Sequence, residues 1–229
     1  MPRHDYQRQL ERLCGNVLDM SKLVIERLEL ALDALGSGDE EVIERIVTGD
    51  DEINRLYLDL EQDCVDILAL QQPVAGDLRF IAASFKIITD LERIADLATN
   101  LAGYARRAAV DPDATAELQE IGETAVEMVE TAMGAYARDD ADATYDVAER
   151  DDALDDRCEQ VSDRIVRSLL ERPADETTGA VLDDVSTHLL AVRDLERVGD
   201  HAVNIAARTL YMIESDDELI YGPCPTERR

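Results

Sequence analysis

Two stretches of this chain carry the same charged pattern: Asp90-Leu91-Glu92-Arg93-Ile94-Ala95-Asp96 with Asn100, and Asp194-Leu195-Glu196-Arg197-Val198-Gly199-Asp200 with Asn204. The copies stand 104 residues apart, which implies duplication of an ancestral unit of about half the chain. On a helix, Glu92, Asp96 and Asn100 lie four residues apart on one face, and Glu196, Asp200 and Asn204 repeat that stripe. Apolar residues at helical spacing beside it (Ile87, Ile88, Leu91, Ile94, Leu97, Leu101) put the acids at the border of a packed face. Carboxylates set there need a counter-charge.

The elements that position these side chains follow from where helical periodicity breaks. A first helix from near Asp5 is stopped by Gly36-Ser37-Gly38-Asp39, and a second from near Asp39 is stopped by Gln71-Gln72-Pro73. A third, carrying the first cassette, is expected over 74–109. Asp111-Pro112-Asp113 then separates the halves. The second half repeats the plan, with helices over 114–138, 140–171 and 175–213 and a break at Arg172-Pro173. Pro73 and Pro173 each precede a cassette helix. The fold class is therefore all-α: two tandem, sequence-related antiparallel three-helix bundles, six helices in all. The expected boundaries are 1–110, 111–215 and a tail over 216–229, irregular around Tyr221-Gly222-Pro223-Cys224-Pro225.

Short turns force neighbouring helices to run antiparallel, and counting then predicts a contact. Asp50 and Asn54 stand roughly as far before Pro73 as Glu92 and Asp96 stand after it, and Asp151 and Asp155 bear the same relation to Glu196 and Asp200 across Pro173. Each half is thus expected to bring two helices together with oxygen ligands at i and i+4. Like charges at that range raise one another's pKa, and desolvation adds to the cost. Two remedies are open. A cation can bind, hard oxygen donors suiting Mg²⁺, Ca²⁺, Mn²⁺ and ferric iron, with zinc held by bridging carboxylates. Alternatively Arg93 and Arg197, with Arg79 and Arg193, neutralise the acids in ordinary ion-pair networks. His201 follows Asp200, but its counterpart is Leu97, so it stands outside the duplicated pattern. His4 and His188 are read as incidental.

Composition excludes several classes. The 229 residues carry 45% apolar and 33% charged side chains, with two Phe and no Trp, as in a globular helical chain and unlike a disordered or β one. Net charge is −29 and the pI about 4.2, which opposes binding to a nucleic-acid backbone. Lys occurs only at Lys22 and Lys86. So acidic a surface repels itself in dilute buffer but not at molar salt, where the screening length is about 3 Å, so a salt-rich cytoplasm is expected. No apolar run nears the roughly 20 residues that span a bilayer, and the first residues lack a signal peptide's apolar core, so a cytoplasmic location is expected. Cys14, Cys64, Cys158 and Cys224 form no CxxC pair. No Glu precedes His188 or His201 by three residues, as a ferritin-like di-iron site needs. No nucleophile elbow or phosphate-cradling glycine loop is present.

Gln72-Pro73-Val74-Ala75-Gly76-Asp77-Leu78-Arg79 followed by Thr89-Asp90-Leu91-Glu92-Arg93-Ile94-Ala95-Asp96, then Glu196-Arg197-Val198-Gly199-Asp200 and the Gly49-Asp50 with Asn54 pattern, resembles the PhoU family of accessory regulators of phosphate-specific transport. The resemblance runs from the first helix to about Ile213. It implies two three-helix bundles and no enzymatic activity. It further implies multinuclear iron or zinc clusters, with Mg²⁺ in some members, held by Glu92, Asp96, Glu196 and Asp200, with Asp50, Asn54, Asp151 and Asp155 opposite. Asn100 and Asn204 extend that set, and Arg93, Arg197, Asp77 and Arg79 support the motifs. Asn54 in place of a carboxylate, and Ala95 in place of glycine, depart from the family pattern and point to a weaker first-half site. The implied role is negative regulation of phosphate uptake through the cytoplasmic side of the phosphate ABC transporter, at its ATPase or permease subunits. A phosphate-sensing histidine kinase is a second expected partner, a homodimer the expected assembly, and membrane contact is indirect. Two alternatives stand beside this: a metal-cluster protein that handles metal or phosphate directly, and a ligand-free helical adaptor.

Overall fold

The computed structural model describes residues 3–107, 112–171 and 178–221. Six long helices follow one another: α1 (Arg3–Ser37), α2 (Glu40–Gln71), α3 (Ala75–Ala105), α4 (Pro112–Arg138), α5 (Ala141–Glu171) and α6 (Gly179–Glu214). A seventh, α7 (Glu218–Tyr221), is a single turn where the sequence suggested only a tail. Asp216 starts it by accepting from the Glu218 amide. α3 is shorter than expected, ending at Ala105, and Arg106 folds back to pair with Glu40 and Glu44 at the start of α2. The Arg172-Pro173 break, Asp175, Asp111 and Gly222 to Pro225, Cys224 among them, lie outside the described residues.

The caps follow from residue type. Asp39 accepts from the amides of Glu41 and Val42 at the start of α2, after Gly38 has turned the chain at φ 62°, a conformation a side chain opposes. Gln72 closes α2 in the left-handed region at φ 47°, and Pro73, having no amide hydrogen, cannot extend the helix. α1 packs on α2 and α3 to form the first bundle, and α4 on α5 and α6 to form the second. The bundles join through α3 against α6 and α1 against α4, which leaves α2 and α5 on the outside. Each half buries an apolar stripe, Leu28, Ile46, Ile53, Leu60 and Leu91 in one and Val129, Val147, Leu154, Val161 and Leu195 in the other. Across the seam Tyr136 stacks on Phe80 at 6.0 Å and hydrogen-bonds Ser84 at 2.7 Å.

The two halves correspond in two registers. Asp39 and Asp140, each accepting from amides at the start of its helix, are 101 residues apart, as are the buried pairs Leu28/Val129, Ile46/Val147, Ile53/Leu154 and Leu60/Val161. The cassettes on α3 and α6 are 104 apart, so three extra residues fall between α5 and α6. In the 101-residue register Asp50 corresponds to Asp151, Asn54 to Asp155, Arg27 to Met128 and Gly49 to Arg150. Among the described residues no helix is long and apolar enough to cross a membrane.

Candidate functional site

In the first half, α2 supplies Asp50 and Asn54 and α3 supplies Glu92 and Asp96, and the two helices meet where counting places them. The Thr99 hydroxyl lies 3.3 Å from Asp50 Oδ1 across the α2–α3 groove and 3.1 Å from the Ala95 carbonyl of its own helix. Asn54 turns its amide nitrogen to Asp50 Oδ2 at 3.0 Å, so it acts there as a donor. Arg93 pairs with Asp96 at 3.1 Å and with Glu92 at 3.5 Å. Burial first, then Asp96 and Asp50, push the Glu92 carboxyl upward against the pull of Arg93 and His201.

A residue that sequence reasoning missed completes this half. Arg27 comes from α1 with its side chain only 11% exposed, its Nη1 3.8 Å from Asp50 Oδ1 and its Nη2 donating to the Gly49 carbonyl at 2.8 Å. The guanidinium rests where Gly49 has no side chain, since a Cβ there would stand 2.9 Å from Nη2. The first half is therefore largely neutralised from within, by Arg27 from α1 and Arg93 from α3.

The second half keeps its acids, has no counterpart of Arg27, and directs Arg197, the counterpart of Arg93, elsewhere. Asp151 and Glu196 are half-buried, with Asp155 and Asp200 exposed beside them. Burial, then Asp155, Asp200, Asp152 and Glu196, push the Asp151 carboxyl up to about 7. Asp155 and Glu196 move the same way, by burial first and then mutual repulsion with Asp200. Asp151 Oδ1 is buried without a hydrogen-bond partner. Met128 stands where the first half has Arg27, and Arg150 turns outward to Glu127 at 3.4 Å. Arg193 and Arg197 point to Asp194, at 2.9 Å and 3.7 Å. Among the described residues no basic side chain pairs with any of the four acids. Gly199 lets α5 approach, because a Cβ there would lie 2.4 Å from Leu154 Cδ2 and 3.1 Å from Asp151 Oδ1. Cys158, on the same face of α5, is buried, and burial with Glu196, Asp155 and Asp151 nearby pushes its thiol up to about 12.

The expected asparagine extension of each stripe does not join its cluster. Asn100 donates to Asp194 at 3.4 Å and Asn204 to Asp90 at 3.5 Å, each crossing to the other half. Tyr104 also donates to Asp194, at 2.9 Å, and His201 Nδ1 lies 2.9 Å from Asp90. The leading aspartates of the cassettes are thus clamps between the bundles, and His201 belongs to one of them. Asp77 lies beside Tyr6, whose hydroxyl is pushed up to about 12 by burial first and then by that carboxylate. Arg79 Nε is buried without a partner.

The donor chemistry of the second half fits a hard cation: four carboxylates, an orphaned buried oxygen and a glycine that keeps the groove open. In the first half Asp50 already has Arg27 at 3.8 Å and accepts from Asn54 at 3.0 Å. Among the described residues no three His, Cys, Asp or Glu side chains are gathered closely enough to ligate one ion as they stand.

Comparison with known proteins agrees with the duplicated architecture. The PhoU domain family matches residues 17–105 and again 118–209, once in each half. The phosphate-specific transport system accessory protein PhoU homolog of Pseudomonas aeruginosa is 33% identical over 93% of this chain and 86% of its own length. PhoU homolog 1 of Methanothermobacter thermautotrophicus is 31% identical over 93% and 95%. The crystal structure of PhoU from Pseudomonas aeruginosa superimposes with a TM-score of 0.85 at 32% identity, covering 92% of this chain and all of that one. A PhoU structure from Streptococcus pneumoniae gives 0.84 at 26%, covering 92% and 98%. With a PhoU domain in each bundle and close likeness over nearly its full length, this chain belongs to the PhoU family.

Proposed function

We propose that this protein is the accessory regulator of a phosphate-specific transport system, restraining phosphate uptake when phosphate is plentiful. The observation that carries the reading is the full-length likeness, in sequence and in both bundles, to relatives named as accessory proteins of that system. Its role is contact, with no chemistry of its own: a rigid helical frame presents a fixed surface to the ATPase or permease subunits from the cytoplasmic side. A phosphate-sensing histidine kinase is a second partner in this reading, and the working form is a homodimer. The test is a strain lacking this gene in phosphate-rich medium. Phosphate uptake and starvation-gene expression are expected to stay high and to fall when the chain is restored. Unchanged repression in the deletion overturns the reading.

The second half adds a metal-dependent element, favoured by the orphaned Asp151 oxygen and the uncompensated acids around it. Asp151, Asp155, Glu196 and Asp200 are the residues that hold the ion or cluster, with iron, zinc or Mg²⁺ as candidates. The bound cation supplies the counter-charge these acids lack. The acids themselves, held by the ion, would tie α5 to α6 and fix the spacing of the outer helix. Elemental mass spectrometry of protein purified without chelators or a histidine tag, beside Asp151→Ala with Asp200→Ala, tests this. Metal lost in the double variant supports it, and metal-free wild type opposes it.

A further inference from the structure

We infer that Arg27 is the resident cation of the first half, seated where the second half is left open, so that this chain takes up metal in its second half alone. The inference rests on the metal reading above for the second half and goes beyond it by closing the first. Three observations meet at Asp50. The Arg27 guanidinium, its side chain 11% exposed, places Nη1 3.8 Å from Oδ1, and that nitrogen is buried with no hydrogen-bond partner, so Asp50 is the carboxylate it pairs with. Nη2 is fixed by the Gly49 carbonyl at 2.8 Å, in a seat that a side chain at position 49 would fill. Asn54 donates to Asp50 Oδ2 at 3.0 Å, and the Thr99 hydroxyl, shared with the Ala95 carbonyl at 3.1 Å, lies 3.3 Å from Oδ1. A metal ion arriving there meets a fixed positive charge beside a part-buried carboxylate and must displace the Asn54 amide. It gains one carboxylate fewer on the facing helix, because Asn54 stands where Asp155 stands in the other half.

The same positions in the second half carry the opposite choices. Met128 replaces Arg27, Asp155 replaces Asn54, and Arg150 replaces Gly49 but points outward to Glu127. One neutral side chain in place of a guanidinium, and one carboxylate in place of an amide, shift the local charge by two units. Neutralisation by an arginine is constant, whereas neutralisation by a metal responds to metal supply. On this reading the duplication has left a permanently closed bundle and a metal-responsive one.

The test counts bound metal per chain by elemental mass spectrometry, after chelator stripping and dialysis against Mn²⁺ alone or Zn²⁺ alone. The proteins compared are wild type, Asp151→Ala with Asp200→Ala, and Arg27→Met with Asn54→Asp. Wild-type protein is expected to bind metal, and the first double variant to lose at least tenfold, although its first-half residues are intact. The second double variant is expected to bind about twice the wild-type amount. Retention of about half the metal in Asp151→Ala with Asp200→Ala overturns the inference while leaving the metal reading standing. No metal on wild type at all overturns both. The Asp151 and Asp200 arm leaves Arg27 in place, so the decision does not depend on the folding of Arg27→Met.

Discussion

The two bundles of this protein are built on one plan and balance their charges in different ways. In the first, Asp50 faces Arg27 from α1, and Arg93 covers Glu92 and Asp96. In the second, the corresponding acids face one another around an unpartnered Asp151 oxygen, and the arginines of the cassette helix are drawn away to Asp194. A cluster of like charges therefore says little about metal affinity until the nearest cation is located, and that cation can sit on a helix far away in sequence. The clamps between the halves differ too. Asp194 is fully buried among Arg193, Arg197, Tyr104 and Asn100, whereas Asp90, 16% exposed, has His201 and Asn204.

The largest effect is expected at the clamps. Asp194→Ala removes a fully buried carboxylate that accepts from Tyr104 and Arg193 and should cost about 2 kcal/mol of unfolding free energy, while Asp90→Ala, partly exposed, should cost about 1 kcal/mol. Chemical denaturation of the two variants measures the gap, and equal losses would remove the asymmetry at the seam.

Next in size is the response to pH in metal-free protein. Asp151 titrates near 7 when folded and in the ordinary carboxylate range when unfolded, and Asp155, Glu196 and Glu92 are shifted upward too. Groups raised on folding contribute stability that is complete below their unfolded pKa and is lost as pH rises through the folded one. Thermal midpoints in chelator should therefore fall between about pH 4 and pH 7 and level off above. Asp151→Asn should flatten that slope, and an unchanged slope would place the repulsion elsewhere.

The smallest effect is that of salt. With a net charge of −29, molar KCl should stabilise the whole chain through screening, and α5 more than α2, because Asp50 on α2 already has Arg27 as a partner. Hydrogen exchange resolved along the chain reads the difference, and equal protection of α5 and α2 by salt would count against it.

The sequence made the helices legible because their periods are long and their stops chemically plain. Asp39, Gly38 and Pro73 act where their types predict, and the level meeting of α2 with α3 follows from counting outward from one proline. Two features were not legible. Successive residues at i+4 drift about 40° around a helix, so by Asn100 and Asn204 the stripe has turned from the outer helix of its own bundle to the facing helix of the other. Arg27 lies on α1, outside both cassettes, and its contrast with Met128 emerges only in the 101-residue register. The cassettes, 104 apart, conceal that register.

Asp50 is compensated and Asp151 is not, and the stability of Asp50→Ala and Asp151→Ala at pH 8 in chelator, by denaturant unfolding, decides it. Opposite signs are expected. Asp50→Ala strands the buried Arg27 and destabilises by about 2 kcal/mol, and Asp151→Ala relieves repulsion and stabilises the protein. Destabilisation of similar size by both substitutions would mean that Asp151 is compensated as Asp50 is.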